Sequence, residues 1–316
     1  MSRIANHLLV GSLAAALAGS SLAASVQDPE LGLVRWGRSP DAALAESKQS
    51  GRPLFMLFDE VPGCATCRGF GQDVLSNPLL VEAIEREFVP VFVANNRPGR
   101  DAEWLARYGE PAWNNPVVRL LSGSGQDVIP RRDGLYSAHE IATRMIDALR
   151  AAHRAVPGYL ELAAQEARLA HRETAVFATA CYWEGEAHFG GLPGVVAVQA
   201  LDTGEGEAVR VTFDRTRLTH DGLAAAAAKY GYTRELATDV RSRDASGRDH
   251  LHALAGSPLR SLPLSPVQAM RVNAALARGD NPRAWLSPSQ LEKTGDMNAT
   301  VGSRPLTGAS CPAPGH

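Results

Sequence analysis

The chain has 316 residues, of which 45% are hydrophobic and 21% are charged, a globular composition long enough for two hydrophobic cores. Its formal net charge is -2 and no run of Lys or Arg stands out, so nucleic acid and other polyanions are not expected partners. The four cysteines are too widely spaced for a knotted disulfide scaffold, although Cys64 and Cys67 form one C-x-x-C pair.

The N-terminus has the three parts of a secretory signal. A short basic start precedes an Ala/Leu-rich apolar stretch over 8–22, and small residues follow at 23–25. We therefore predict a signal peptide over 1–24 and a periplasmic or secreted protein. A single membrane anchor is the alternative, for which the apolar run is short. In an oxidising compartment, thiols are converted to disulfides or sulfenic acids.

Residues 25–155 are predicted to form an α/β domain. The apolar runs over 53–60 and 88–95 are suited to buried strands, and the pattern over 115–131 predicts a hairpin around a Gly-Ser-Gly turn. Helix starts are indicated by Ser39-Pro40, by Asn77-Pro78 and by a capping box of Ser137 and Glu140.

The Cys64–Cys67 pair follows the first buried strand, where a helix is expected to begin. The unpaired N–H groups and the positive dipole end of a helix N-terminus favour a thiolate at Cys64. We therefore predict a redox-active dithiol, with a structural disulfide as the alternative. A zinc site would need a second ligand pair, and haem attachment would need a histidine where Arg68 stands.

The order strand, C-x-x-C, helix, strand and Asn115-Pro116-Val117 resembles the thioredoxin-like superfamily over about residues 34–153. The resemblance implies an α/β thioredoxin-like fold in which Cys64 is the attacking thiol and Cys67 the resolving thiol. It also implies that Pro116 is a cis-proline that shapes the substrate groove. An ordinary trans proline at the start of a strand is the alternative for Pro116.

A helical linker over 156–173 is predicted to lead to a second domain over 174–245. The pattern βαββα, with one more strand to follow, predicts an α+β ferredoxin-like (βαββαβ) fold. The first and third strands of such a sheet are antiparallel neighbours, so Cys181 at the end of one is expected near Glu207 at the start of the other. A thiol beside a protonated carboxyl can act as a nucleophile paired with a proton donor.

Three motifs of this domain resemble those of A-type peptide methionine sulfoxide reductases over about 174–230. The resemblance implies that Cys181 attacks the sulfoxide sulfur and that Glu207 protonates the oxygen, which leaves a sulfenic acid on Cys181. The family's Gly-Tyr-x-Gly-Gly loop is absent, and Tyr230 or Tyr232 is a candidate replacement for its tyrosine. The resemblance also implies that Tyr182, Trp183 and Glu186 bind the substrate. The three motifs are Ala180-Cys181-Tyr182-Trp183-Glu184-Gly185-Glu186, Leu192-Pro193-Gly194-Val195 and Thr203-Gly204-Glu205-Gly206-Glu207.

Two other interpretations of the second domain stay open. Heavy-metal-associated domains share the βαββαβ order, although their metal site needs a cysteine pair and Cys181 is alone. In the second interpretation, Cys181 is a buried structural cysteine. Residues 246–316 are predicted to form an extension with an amphipathic helix over 262–279 and a mobile tail. Its Cys311 is expected to resolve the Cys181 sulfenic acid, as the tail cysteines of these reductases do, or else to be a stray surface thiol.

We expect an exported, thiol-dependent oxidoreductase that reduces methionine S-sulfoxide in peptides or proteins and is recycled by its own Cys64–Cys67 dithiol. No cofactor or metal is predicted, and an upstream thiol reductant, for which a membrane-bound donor is a candidate, must recharge the dithiol. The alternative is a thioredoxin-like thiol-disulfide oxidoreductase whose second domain is a non-catalytic docking or metal-binding module.

Overall fold

The computed structural model describes residues 28–294, which form an α/β unit, an α+β unit and a helical C-terminal region. The predicted signal peptide over 1–24 and Cys311 lie outside the described residues. Within 28–294, no helix is both long enough and apolar enough to cross a bilayer.

The first unit is built on a three-stranded sheet. Its central strand β1 (Leu54–Asp59) runs parallel to β2 (Val89–Ala94) and antiparallel to β3 (Val117–Leu121). Every residue of β1 is buried, as its continuous apolar run predicts. The helices of this unit are α1 (Pro40–Ser50), α2 (Ala65–Asp73), α3 (Pro78–Glu87), α4 (Arg100–Tyr108) and α5 (Ala138–Ala151).

The predicted helix starts of this unit are confirmed. Ser39 caps α1 and Asn77 caps α3 through side-chain acceptors, and each is followed by proline at the first helical position. Ser137 and Glu140 form the predicted capping box of α5. Gly51 ends α1 with a φ of 70°, a left-handed conformation that glycine adopts without a clash at Cβ.

The hairpin predicted over 115–131 is confirmed only in its first strand. After β3, the N–H of Ser122 donates to the carbonyl of Gln126, and the return segment forms a single bridge between Leu121 and Asp127. Pro130 has no N–H to donate to a neighbouring strand, so the return segment does not continue as a strand.

The helix predicted to link the two domains, α6 (Gly158–Ala167), is part of both cores. Leu160 and Ala163 belong to the core of the first unit, whereas Leu162 belongs to that of the second. The two units are therefore joined by a buried helix that contributes to both hydrophobic clusters.

The second unit contains a five-stranded sheet in which every neighbouring pair of strands is antiparallel. Its elements are β4 (Arg172–Ala178), α7 (Tyr182–Gly190), β5 (Val195–Thr203), β6 (Gly206–Asp214), α8 (His220–Ala228), β7 (Glu235–Leu236) and β8 (Ser242–Asp244). The strand order is β7-β4-β6-β5-β8, so the predicted pairing of the first and third strands, β4 and β6, is confirmed. β8 lies on the outer edge of β5, an addition that the sequence pattern does not indicate.

The described part of the C-terminal extension, 246–294, packs on the second unit. It contains α9 (His252–Ala255), α10 (Pro266–Arg278) and α11 (Pro288–Thr294). α10 begins with a capping box and lies against α7, and nearly all of its residues are buried. Its Arg271 donates hydrogen bonds to backbone carbonyls at the end of α7 and in the loop that follows.

Replacing Gly71 with alanine is expected to destabilise the protein by about 1–3 kcal/mol, because the new methyl group would overpack the α2 interface. A Cβ at Gly71 would lie 1.9 Å from the backbone oxygen of Pro29, which belongs to a 3-10 turn over Pro29–Leu31. Urea unfolding measures the loss.

Gly69, in the same helix, is the matched control. A Cβ there meets nothing within 4 Å, so Gly69→Ala is expected to stabilise the helix by up to about 1 kcal/mol. Equal shifts in both variants would show that the contact between α2 and the 3-10 turn does not decide the result.

Candidate functional site

The C-x-x-C pair lies where the sequence predicts it, at the start of α2 and after β1. Cys64 is the N-cap of α2, and Cys67 lies in its first turn. Both carry free thiols, with their sulfur atoms 3.2 Å apart. Cys64 is exposed, whereas Cys67 is 0% exposed. Only the first sulfur is therefore open to a partner disulfide.

The environment of Cys64 favours its thiolate. The pKa of Cys64 is lowered, first by a hydrogen bond from the backbone N–H of Cys67 and then by one from the Cys67 thiol, with further donors from Thr66. A thiolate held by N–H groups at a helix N-terminus and exposed to solvent is the arrangement of a nucleophilic cysteine.

The environment of Cys67 has the opposite effect. Burial raises the pKa of this thiol, and its interactions with Cys64 and Asp59 add to the rise. Cys67 therefore keeps its proton and needs a base before it can attack. The Cys67 thiol also donates to Oδ1 of Asn115, at 3.0 Å.

Asp59, the last residue of β1, is a buried carboxyl group that the sequence motifs do not single out. It is 0% exposed, and burial raises its pKa to about 6. The interaction with the Cys67 thiol has the opposite, smaller effect and lowers this pKa. Its Oδ1 accepts the N–H of Glu60, and its Oδ2 is buried without a hydrogen-bond partner of normal geometry among the described residues. The sequence feature that could identify Asp59 as a site residue is its place as an acidic residue at the end of an otherwise apolar strand.

The loop opposite the dithiol carries the predicted proline. The Asn115–Pro116 peptide bond is cis, as predicted, and so is Val61–Pro62, for which the sequence gives no signal. The side chain of Asn115 donates to the carbonyl of Ala112 and accepts from Cys67, which ties this loop to the dithiol. Trp113 projects from the same loop and is 82% exposed.

Glu207 lies at the start of α7, where its carboxyl group contacts the backbone of the residue that follows Cys181. Cys181 is the N-cap of α7 and is 5% exposed, and Oε2 of Glu207 accepts the N–H of the next residue, Tyr182, at 2.7 Å. Burial raises the pKa of Glu207, and the charges of Asp202 and Asp249 add to the rise. A carboxyl with a raised pKa beside a cysteine at a helix start can act as a proton donor.

Cys181 is disulfide-bonded, while Cys64 and Cys67 are both free thiols. The described residues therefore hold an oxidised cysteine in the second unit and a reduced dithiol in the first.

The side chains of Tyr182 and Trp183, which are predicted to bind substrate, form an aromatic wall that is covered by other parts of the protein. Tyr182 is 7% and Trp183 9% exposed. The indole of Trp183 stacks on the imidazole of His252, with ring centroids 3.5 Å apart and planes 10° apart. One face of the indole is therefore occupied by a residue of the C-terminal region.

Glu186, predicted to bind substrate, is engaged with the protein itself. It is 0% exposed, and Oε1 accepts from the backbone N–H of Ala200 and from Nδ1 of His250, while Oε2 accepts from the N–H of Leu251. The bond to Glu186 also raises the pKa of His250. The structure thus places Glu186 as the anchor of the segment that carries His252.

The two tyrosines considered as replacements for the missing loop lie elsewhere. The Tyr232 hydroxyl is 2.9 Å from Nδ1 of His188, and Tyr230 stacks on the same imidazole. His188 is near the far end of α7, about 10 Å along the helix from Cys181 at 1.5 Å per residue. Neither tyrosine takes the place of a sulfoxide-binding residue beside Cys181.

Among residues 28–294, no group of three or more His, Cys, Asp or Glu side chains is placed to hold a metal ion. Cys311, the predicted resolving thiol, lies outside this range.

Comparisons with known proteins bear on the first unit. The thioredoxin-like family matches residues 35–122, which include the dithiol, Asp59, Asn115 and Pro116. A solved structure described as "DsbH Oxidoreductase" is similar at 17% identity over 39% of this chain and 90% of that chain, with a TM-score of 0.33. No curated protein matches the chain. Residues 35–122 of the chain are therefore a thioredoxin-like region.

Proposed function

We propose that the protein is a thiol-disulfide oxidoreductase that acts through Cys64 and Cys67. One observation carries the proposal: two free thiols 3.2 Å apart have opposite environments, with an exposed Cys64 of lowered pKa and a buried Cys67 of raised pKa. This asymmetry assigns attack to one sulfur and resolution to the other.

Exchange takes place in two steps, each of which forms one disulfide bond and breaks another. The Cys64 thiolate attacks one sulfur of a partner disulfide, forms a mixed disulfide and releases the other partner sulfur as a thiolate. Cys67 then passes its proton to Asp59 and attacks Cys64, which forms the Cys64–Cys67 disulfide and releases the second partner sulfur. The partner gains two electrons, and the dithiol loses them. The pKa of Asp59, about 6, leaves it mostly ionised near neutral pH and able to accept that proton.

The rate of alkylation as a function of pH tests the first step. When the reduced protein is treated with iodoacetamide, the alkylation rate of Cys64 is expected to reach half its maximum at a lower pH than that of an ordinary cysteine. The reason is that the Cys64 thiolate is stabilised. Peptide mapping identifies the labelled residue, and Cys64→Ser should lack the fast phase. A midpoint at or above that of a free cysteine would contradict the proposal.

We further propose that the second unit is a ferredoxin-like domain that reduces methionine S-sulfoxide at Cys181. The βαββαβ order with strands β7-β4-β6-β5 supports the fold, and the contact of Glu207 with the start of α7 supports the chemistry. Cys181 would attack the sulfoxide sulfur, and its oxygen would leave methionine and stay on Cys181 as a sulfenic acid, with Glu207 supplying a proton. The test is turnover of a methionine-S-sulfoxide peptide.

In this scheme Cys311 is the resolving thiol: it would attack the sulfenic acid and release water, which leaves a Cys181–Cys311 disulfide. The disulfide-bonded state of Cys181 supports disulfide formation at this cysteine as a step of the cycle. The Cys64–Cys67 dithiol would then reduce that disulfide by exchange, and the covalent link between the domains would raise the effective concentration.

The N-terminal leader pattern supports export to the periplasm or beyond, where an upstream thiol reductant would recharge Cys64 and Cys67. The second candidate for 174–245 is a non-catalytic docking or metal-binding module. The burial of Tyr182 and Trp183 favours this second candidate, because a docking domain does not need an open pocket for the methyl group of a sulfoxide.

A further inference from the structure

The 3-10 turn over Pro29–Leu31 lies directly on the dithiol. Glu30 is 2% exposed, and its Oε1 accepts the N–H of Gly63, the residue before Cys64, at 2.9 Å. A Cβ at Gly63 would lie 3.0 Å from Cγ of Glu30 and 2.7 Å from Cβ of Cys67. The Glu30 side chain, the Gly63 backbone and Cβ of Cys67 therefore leave no room for a larger residue at position 63.

Two buried carboxyl groups thus lie close to Cys67. Glu30 comes from the 3-10 turn, and Asp59 comes from the end of β1. The charged or titratable groups that act on Asp59 are Cys67 from α2, Glu30 from the turn and Glu60 from the loop after β1. Both glutamates raise the pKa of Asp59, and Glu30 has the larger effect. A buried carboxyl with few donors is retained at a cost in stability, which is typical of functional sites.

We propose that Glu30 is a positioning residue for thiol-disulfide exchange: it holds the turn before Cys64 and, through its negative charge, makes Asp59 a better acceptor for the Cys67 proton. This role rests on the proposed exchange function. The hydrogen bond of Glu30 goes to the backbone beside Cys64 and not to a sulfur atom. Glu30 acts through the backbone N–H of Gly63 and through its field at Asp59.

The Glu30→Gln variant separates the charge from the hydrogen bond, because the amide oxygen can still accept the N–H of Gly63. Titration of the Asp59 carboxyl carbon by NMR is expected to show a midpoint below the wild-type value. Glu60→Gln is the matched control and is expected to shift the midpoint less. A Glu30→Gln shift no larger than that of Glu60→Gln would overturn the proposal.

The pH profile of exchange gives a second readout. If Asp59 accepts the Cys67 proton, the rate of the resolution step falls at acid pH as Asp59 becomes protonated, which gives the pH profile an acid limb. Glu30→Gln should move that limb to lower pH. A merely structural Glu30 would change the thermal stability and leave the limb in place, which would also overturn the proposal. The NMR titration needs no activity, so a failure of exchange in the wild type is distinguishable from a failure of the role of Glu30.

Discussion

The Cys64→Ser variant is expected to lose disulfide exchange by on the order of 10³-fold or more, the scale on which removal of a catalytic nucleophile acts. A serine hydroxyl does not ionise near neutral pH, and the remaining thiol, Cys67, is buried with a raised pKa. Cys67→Ser is expected to behave differently, because Cys64 can still attack but nothing resolves the product. Reduction of glutathione disulfide by the reduced protein measures the first effect, and intact-mass spectrometry detects the trapped adduct.

Both variants should be made in a Cys181→Ser, Cys311→Ser background, so that only the dithiol can react. Asp59→Asn is the third member of the series: it keeps the shape of the side chain, removes the base and is expected to slow resolution while leaving adduct formation unchanged. An adduct that forms on Cys67, or wild-type exchange by Cys64→Ser, would contradict the assignment of the two thiols.

The sequence predicts those parts of both sites that follow from local signals and regular topology. A helix start after a buried strand is enough to place Cys64. The strand order of a βαββα pattern is enough to bring Glu207 to the start of the helix that follows Cys181. Strand alternation and helix caps depend on a few neighbouring residues, which is why they can be recognised without the structure.

The contacts that the sequence does not predict come from irregular segments far along the chain. Glu30 reaches Gly63 from 33 residues away, and His250 reaches Glu186 from 64 residues away. Neither segment has a periodic pattern that shows which face it covers. As a result, Glu186 is predicted to bind substrate but anchors the segment that places His252 on Trp183.

Cys181→Ser is expected to abolish reduction of a methionine-S-sulfoxide peptide, and Glu207→Gln to slow it by about 10²–10⁴-fold, the usual contribution of a general acid. The amide side chain of the Glu207→Gln variant could still accept the N–H of Tyr182 but could not supply the proton that the sulfoxide oxygen requires. Turnover is measured with dithiothreitol as the electron source, so that Cys64→Ser serves as a control and retains activity.

The His252→Ala variant tests whether the covered face of Trp183 takes part in substrate binding. The stacked imidazole occupies one face of Trp183, so its removal should open that face and raise turnover if the methyl group of the sulfoxide binds there. No turnover by the wild type or by His252→Ala would contradict sulfoxide reduction and favour a docking module. The thiol exchange at Cys64 and Cys67 would be untouched by that result, because none of its groups belongs to the second unit.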